Sequence, residues 1–209
     1  MKKSFLKLAL VCIFVLVFCG VGAVTVFGTY YQRNMPQFPQ EKDNWCSIAV
    51  SQSFISYLTG YAWPQWQLAY NSTLAVKAKL LLNKGLNAGD VVDILNVWTS
   101  KDFEYQNHNS QSDAQARIIK ELKEQKHALA FAGNACLPNG TPKDPMGHWM
   151  MIIMADVSSG ALKGVYVLDP LYGSKFASNY EVVRPYSYMR DLFSKWWLAK
   201  NSLRQSVEY

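Results

Sequence analysis

The chain has 209 residues, of which 50% are hydrophobic, 14% are aromatic and 17% are charged, and its formal net charge is +6. This length suits one domain with a substantial core, and the composition excludes disordered, collagen-like and coiled-coil proteins. Lys2, Lys3 and Lys7 precede the first acid, Glu41, and without them 18 basic residues face 15 acidic ones, so the charge gives no ground for a nucleic-acid partner.

The N-terminal segment has the features of a membrane-targeting signal. Residues 8–28 carry no charge over 21 positions, which is long enough to cross a bilayer as a helix. Basic residues precede this segment, so the positive-inside rule predicts that the following chain lies outside the cytoplasm. Val21 and Ala23 have the small side chains of a cleavage site, whereas apolar residues that continue to Phe27 favour a retained anchor. Residues 1–29 are interpreted as either a signal peptide or a transmembrane anchor, and both predict an extracytoplasmic protein.

The rest of the chain divides into a tether and one globular domain. Residues 30–39 are rich in Gln, Pro and Asn and predict a tether, and residues 40–209 predict the domain. Capping residues and apolar periodicity predict four helices in its first half. The first follows the caps Asp43 and Asn44 and ends at Gly60, the second runs from Gln65 to Leu82 before Gly85, the third is capped by Asp90, and the fourth runs from the capping box Ser112–Gln115 to about Gln125.

The pattern then changes to short apolar runs. Strands are predicted at 128–132, 149–157 and 165–168, and the turn residues Ser158 to Gly160 favour antiparallel neighbours. An aromatic-rich helix is predicted for 187–198. Helices followed by an antiparallel sheet indicate the α+β class.

Two of the four cysteines lie outside the apolar N-terminal segment. Cys46 follows the cap Asn44, so it falls in the first turn of a helix, where the helix dipole and unpaired N–H groups stabilise a thiolate. A free thiol with an ordinary pKa of about 8.5 is mostly protonated at neutral pH, so a nucleophilic cysteine needs such help and a nearby base. A structural disulfide between Cys46 and Cys136 is the alternative for an exported chain.

Of the three histidines, one is placed for catalysis. His108 lies in a polar stretch and is interpreted as a solvated loop residue, and His127 as structural. His148 follows Gly147 at the start of an apolar strand, and Asp169 ends the next strand. If these strands pair as a hairpin, the carboxylate can orient the imidazole for proton transfer.

Four pieces of the sequence, in order, resemble the papain-like cysteine proteases. The stretch Gln-Glu-Lys-Asp-Asn-Trp-Cys from Gln40 to Cys46 resembles their active-site opening, and the helix to Gly60 continues the likeness. Gly-His-Trp around His148 and Leu-Asp-Pro around Asp169 follow in the same chain order. The similarity extends to about residue 172. It is closest to compact bacterial branches, namely the double-glycine-leader (bacteriocin-processing) peptidases and the secreted or effector-type papain-like proteases.

The resemblance implies a papain-like α+β fold whose nucleophile helix packs on an antiparallel sheet, and a Cys-His-Asp mechanism. Cys46 would attack the amide carbonyl, His148 would transfer the proton, and Asp169 would orient His148. The Gln40 side chain and the Cys46 backbone N–H would form the oxyanion hole. The partner would be a peptide or protein substrate, together with the membrane if residues 8–28 remain uncleaved. The reaction calls for no cofactor, and no metal-ligand spacing is present.

Two features depart from the related proteases. Ser47 follows the nucleophile, where many relatives carry Trp or Gly. Leader peptidases work in the cytoplasm fused to a transporter, whereas this chain is predicted to be a stand-alone domain outside it, which argues against leader processing. Two alternatives to a peptidase stay open from sequence: a thiol-dependent acyl transferase or deamidase with the same triad, and a catalytically silent domain that binds peptide or a cell-surface partner.

Overall fold

The structure is a computed structural model of the chain and describes residues 29–125, 129–136, 142–177, 187–188 and 205–209. Within these ranges, helices pack on an antiparallel sheet, so the α+β class is confirmed. The helices are α1 (Cys46–Thr59), α2 (Gln65–Tyr70), α3 (Leu74–Leu81), α4 (Ala88–Trp98) and α5 (Gln111–Lys120), and a π-helical turn, Glu121–Gln125, continues α5. The strands are β1 (Thr29–Gln32), β2 (Glu104–Asn107), β3 (Leu129–Cys136), β4 (Pro142–Ser158), β5 (Ala161–Leu168), β6 (Ser187–Tyr188) and β7 (Gln205–Glu208).

The long strand β4 organises the sheet. The strand order is β2-β7-β3-β4-β5-β6, β1 pairs with the far part of β4, and all of these pairs are antiparallel. Ser159 and Gly160 both have positive φ (53° and 76°), which is the geometry of a type I′ turn, and they close the β4–β5 hairpin. The predicted antiparallel pairing of these two strands is confirmed, with Ile152 opposite Val167.

From Trp149 to Ile153, the buried side chains of β4 alternate between two clusters, as the two-residue period of a strand requires. Trp149 and Met151 belong to the larger cluster, which contains the buried faces of α1 to α4. Met150 and Ile152 belong to a smaller cluster with α5. The sheet is therefore covered on both faces, and its packing against α1 holds the N-terminus of that helix near the start of the β4 hydrophobic run.

The first helix begins at the predicted cysteine but without the predicted cap. Trp45 occupies the N-cap position and makes no side-chain cap bond, so the prediction of Asp43 and Asn44 as caps is wrong. The Asn44 amide instead donates to the Lys84 carbonyl at 3.4 Å. The predicted end of the helix is confirmed, because Gly60 adopts the left-handed conformation (φ 72°) that terminates helices.

The second predicted helix is two helices. α2 ends at Tyr70, the Ser72 hydroxyl donates back to the Leu68 carbonyl, and Thr73 caps α3 by accepting from the Val76 N–H. α3 ends at Leu81 with Leu82 as its C-cap, so the predicted end at Leu82 is right to within one residue. Local hydroxyl bonds of this kind compete with a continuous helix, which explains the break inside an apolar pattern.

The next two helices start earlier than predicted. Asn87, not Asp90, caps α4, and Asp90 closes a reciprocal capping box from the third helical position. Ser110, not Ser112, caps α5. In each case the chain contains a second capping residue close by, and local sequence does not choose between the two.

Three strands lack a clear local signal. β1 lies at the start of the predicted tether, and β2 and β7 pair with each other across about half of the chain. Ser187 and Tyr188 pair with β5 as a strand, so the helix predicted to begin there is wrong at these two residues.

Three other predictions lie outside the described residues. They concern the rest of that predicted helix, the N-terminal segment 1–28 and His127. Among the residues that are described, no helix is both long and apolar enough to cross a membrane.

Candidate active site

The thiol of Cys46 is positioned by a helix N-terminus. Cys46 is the first residue of α1 and is a free, largely buried cysteine, not half of the disulfide with Cys136 that the sequence left open. A helix leaves its first four N–H groups without intrahelical partners, so the Cys46 N–H lies beside its own sulfur as a hydrogen-bond donor. This is the arrangement that favours negative charge on a bound group or on the sulfur itself.

The β4–β5 hairpin brings His148 and Asp169 together. Leu168 pairs with Met151, so the end of β5 lies beside the part of β4 that contains His148. His148 Nε2 is 2.7 Å from Asp169 Oδ1, and both side chains are only 2% exposed. Gly133 lies directly opposite His148 on β3, so no side chain from that position crowds the ring.

The same imidazole lies close to Cys46. Because Nε2 is committed to Asp169, the other ring nitrogen, Nδ1, is the one available to the thiol, and Cys46 is near enough to contribute to the pKa of His148. Burial alone lowers the pKa of His148. The charge and hydrogen bond of Asp169, together with Cys46, outweigh burial and raise that pKa to about 10. With this pKa, His148 is an imidazolium at neutral pH.

The carboxylate is held in place by its own turn and by the segment that precedes α1. The Leu171 N–H donates to Asp169 Oδ1 at 2.9 Å, and the Asp169 carbonyl accepts from the Gln37 side chain at 2.6 Å and from the Tyr172 N–H at 2.9 Å. The Gln40 N–H donates to the Pro170 carbonyl at 2.8 Å. Segment 37–40 thus fastens the Asp169 turn to the start of the nucleophile helix.

Gln40 lies in the segment that leads into α1, and its side-chain amide is engaged there. Its side chain is buried, and Nε2 donates to the carbonyls of Lys42 and Asp43 at 2.9 and 2.7 Å. An amide nitrogen has only two hydrogens, so both are used by the turn that leads into α1. An oxyanion could take one of them only by displacing one of these carbonyls.

Two further glutamines near this segment were not predicted. Gln65, at the start of α2, and Gln52, on α1, are buried and hydrogen-bonded to each other at 3.0 Å. Glutamine is common on the surfaces of helices. The sequence therefore does not indicate that the partners of these two side chains include backbone atoms of a distant segment. Ser47, the departure noted in the sequence, is fully buried on α1.

His108 corrects another expectation. It was predicted to be a solvated loop residue, but its side chain is buried and Nε2 lies 2.8 Å from the Ser206 hydroxyl on β7. Burial, with the positive charge of Arg117, lowers the pKa of His108. The polar neighbours in sequence gave no sign of this, because the C-terminal strand that covers His108 is 98 residues away.

Solved structures identify the fold. No protein-family model and no curated protein matches the chain. A crystal structure assigned as a C39-like peptidase from Bacillus anthracis superimposes with a TM-score of 0.54 at 14% identity, covering 86% of this chain and 96% of the other. The chain has the fold of the C39-like peptidases. At this identity the likeness concerns the fold alone, and it confirms the papain-like α+β expectation.

Two other similar structures have lower scores. The peptidase domain of Streptococcus ComA, a bifunctional ABC transporter of a quorum-sensing pathway, gives a TM-score of 0.44 at 12% identity, with 85% and 96% of the two chains covered. A double-glycine-motif protease from an AMS/PCAT transporter, solved with its leader peptide, gives 0.47 at 12% identity, with 84% and 91% covered.

Proposed function

We propose that this C39-like fold is a cysteine peptidase that hydrolyses peptide amide bonds through Cys46, His148 and Asp169. The observation that carries the proposal is the buried contact of 2.7 Å between His148 and Asp169, close to the free thiol of Cys46. A nucleophile is activated when a base lies close to it and a third group orients that base. The peptidase fold of the structural neighbours agrees with it.

The chemistry follows from the charge state of His148. Its raised pKa supports a resting thiolate–imidazolium pair. The sulfur of Cys46 attacks the amide carbonyl, and the imidazolium donates its proton to the leaving amine, which leaves a thioester on Cys46. A water molecule then attacks the thioester while neutral His148 accepts its proton, and the carboxylic acid product leaves, which restores the Cys46 thiolate and the His148 imidazolium.

The oxyanion formed in both steps needs donors near Cys46. The backbone N–H of Cys46 is one, and the Gln40 amide is the second if the oxyanion displaces a carbonyl from Nε2. One such donor is typically responsible for about 10²–10³ in rate. In this proposal Gln40 stabilises the turn before α1 in the resting enzyme and the oxyanion during reaction.

The proposed location is outside the cytoplasm, with a peptide or protein as substrate. The charge-free residues 8–28 behind three lysines support it, whether they are cleaved as a signal or kept as a membrane anchor. A catalytically silent binding domain finds no support in a Cys46 that is free and lies close to His148.

A thiol-directed activity probe tests the proposal on the full chain in mild detergent. We expect labelling at Cys46, none in Cys46→Ala, and a rate lowered by about 10²–10⁴ in His148→Ala, because the base is lost. His108→Gln, which removes a buried histidine outside the site, should label within about twofold of the wild type. Unchanged labelling of Cys46 in His148→Ala would contradict the role of His148 in the triad. A peptide-library digest that shows no cleavage would contradict the hydrolase activity.

A further inference from the structure

Two buried glutamine side chains join the segments that build the site. Gln65 Nε2 donates to the Pro39 carbonyl at 2.8 Å and to Gln52 Oε1 at 3.0 Å, while Gln65 Oε1 accepts from the Glu41 N–H at 3.0 Å. Gln52 Nε2 donates to the Trp63 carbonyl at 2.8 Å. Gln65 is 1% exposed and Gln52 is 6% exposed. Both amide hydrogens of Gln65 are therefore used within the protein.

The Gln65 amide brackets Gln40. It pairs with the carbonyl of the residue before and with the N–H of the residue after, as a neighbouring strand would, so the backbone on both sides of Gln40 is fixed. Gln40 itself uses its N–H on Pro170 and its side chain on the turn that leads into α1. The position of the Gln40 amide is thus determined from three directions.

Gln52 connects this bracket to the nucleophile helix. It lies on α1 six residues after Cys46, which is about 9 Å along the helix axis. A rigid helix transmits position over this distance, so the Gln65–Gln52 hydrogen bond sets the Gln40 segment relative to the Cys46 N–H. These are the two groups between which the proposed oxyanion has to fit.

We propose that Gln65, supported by Gln52, is a positioning residue for the oxyanion hole. The inference rests on the proposed function. An apolar side chain of similar size at position 65 fills the space but leaves the Pro39 carbonyl and the Glu41 N–H without their partner. The Gln40 segment then shifts, and a misplacement of about 1 Å can reduce a rate by about 10². The Asp169 carboxylate is held by the Leu171 N–H of its own turn and by His148, and neither bond involves Gln65 or segment 37–40, so we expect the triad to be retained.

The test compares Gln65→Met with Gln67→Met in the full chain. Both are glutamines on α2, but Gln67 Oε1 has no hydrogen-bond partner within the part of the chain that the structure describes. We expect Gln65→Met to lower kcat for peptide hydrolysis by about 10- to 100-fold with KM changed less than about twofold. Alkylation of Cys46 by iodoacetamide, a displacement that forms no oxyanion, should stay within about twofold of the wild type. Gln67→Met should change neither rate.

A second variant keeps the test decisive if Gln65→Met folds poorly. Gln65→Glu keeps an acceptor for the Glu41 N–H but, when ionised, offers no donor to the Pro39 carbonyl or to Gln52. Protonation restores one donor, so its kcat relative to the wild type should rise as the pH falls from about 7 to about 5. A ratio that stays flat contradicts the proposal.

The remaining outcomes separate the two proposals. An active wild type whose Gln65→Met variant keeps its kcat, or loses alkylation in parallel with kcat, contradicts the positioning role alone. A wild type that iodoacetamide alkylates at Cys46 but that cleaves no peptide contradicts the proposed function, and the positioning role with it.

Discussion

At the scale of single residues, the carboxylate of Asp169 determines the charge of the site. A buried imidazole without a partner is neutral, because burial disfavours its charged form. The contact between Asp169 Oδ1 and His148 Nε2 reverses this and raises the pKa of His148 to about 10. The imidazolium is the acid that protonates the leaving amine, so activity is expected to persist from neutral pH up to this pKa and to fall above it.

Asp169→Asn should move the alkaline limb of the pH profile. The amide removes the negative charge, so burial lowers the pKa of His148 and the limb shifts from near pH 10 toward or below the ordinary histidine value of about 6.5. We expect kcat/KM near pH 8 to fall by at least about 10-fold, with a smaller loss near pH 5. Asp93→Asn, an exposed site on α4, is the matched control. An unshifted limb in Asp169→Asn would show that Asp169 does not control His148.

The same shift affects stability. A folded-state pKa above the unfolded value means that the His148–Asp169 contact stabilises the protein fully below about pH 6.5 and progressively less as the pH rises toward 10. Asp169→Asn should flatten this part of the stability profile, which urea unfolding at a series of pH values measures.

The site residues differ in how readily they can be predicted from the sequence. Cys46, His148 and Asp169 are predictable because each type is scarce or stands at an element boundary, and a hairpin brings the last two together. Gln52 and Gln65 are not, because glutamine fits any helix surface and its partners here include backbone atoms 24 and 26 residues away. The hydrogen bonds of the Gln40 amide could likewise not be predicted from the sequence, because its acceptors are backbone carbonyls of a turn.

At the scale of elements, one arginine anchors the C-terminal strand to α5. Arg117 contacts Glu208 on β7 and Glu121 at 3.2 Å, and these two glutamate side chains are only 1% and 2% exposed. Burial, with the charge of Glu208, raises the pKa of Glu121. Two buried carboxylates therefore depend on Arg117 for compensation.

Arg117→Met should destabilise the protein by about 3–5 kcal/mol near pH 7, because it removes the cation that pairs with the buried carboxylates of Glu208 and Glu121. The loss should shrink as the pH falls and the carboxylates protonate, and Glu208→Gln in the same background should recover part of it. Urea unfolding of the full chain measures both, and Lys123→Met, an exposed cation in the adjoining turn, is the control. A loss below about 1 kcal/mol would mean that the cluster is solvated.

Helix boundaries were predicted less well than helix existence. Asn87 and Asp90, or Ser110 and Ser112, are both competent caps, and tertiary contacts decide between them. Strands β1 and β7 are short and pair with strands far away along the chain. Their own residues therefore do not identify them as strands, because the pairing partner decides the structure.

At the scale of the whole molecule, the C-terminal strand β7 lies in the interior of the sheet. β7 lies between β2 and β3 and pairs with both, and Val207 is fully buried in the cluster that contains Phe54 of the nucleophile helix. Tyr209 packs on Phe103 with ring centroids 4.9 Å apart. Formation of the Cys46 environment is therefore tied to residues about 160 positions later, which makes the fold rich in non-local contacts.

Removing residues 205–209 should for this reason unfold the domain rather than trim it. The deletion loses a buried valine, the ladder bonds to two strands and the partner of Arg117, a sum of several kcal/mol against the roughly 5–15 kcal/mol that stabilises a typical protein. We expect the truncated chain to lack a cooperative urea transition and its Cys46 to lose probe selectivity. Gln205→Ala, which removes an exposed side-chain hydrogen bond to Asn107, should unfold within about 1 kcal/mol of the wild type. If the truncated chain keeps a cooperative transition and a reactive Cys46, then the site is built without its C-terminal strand.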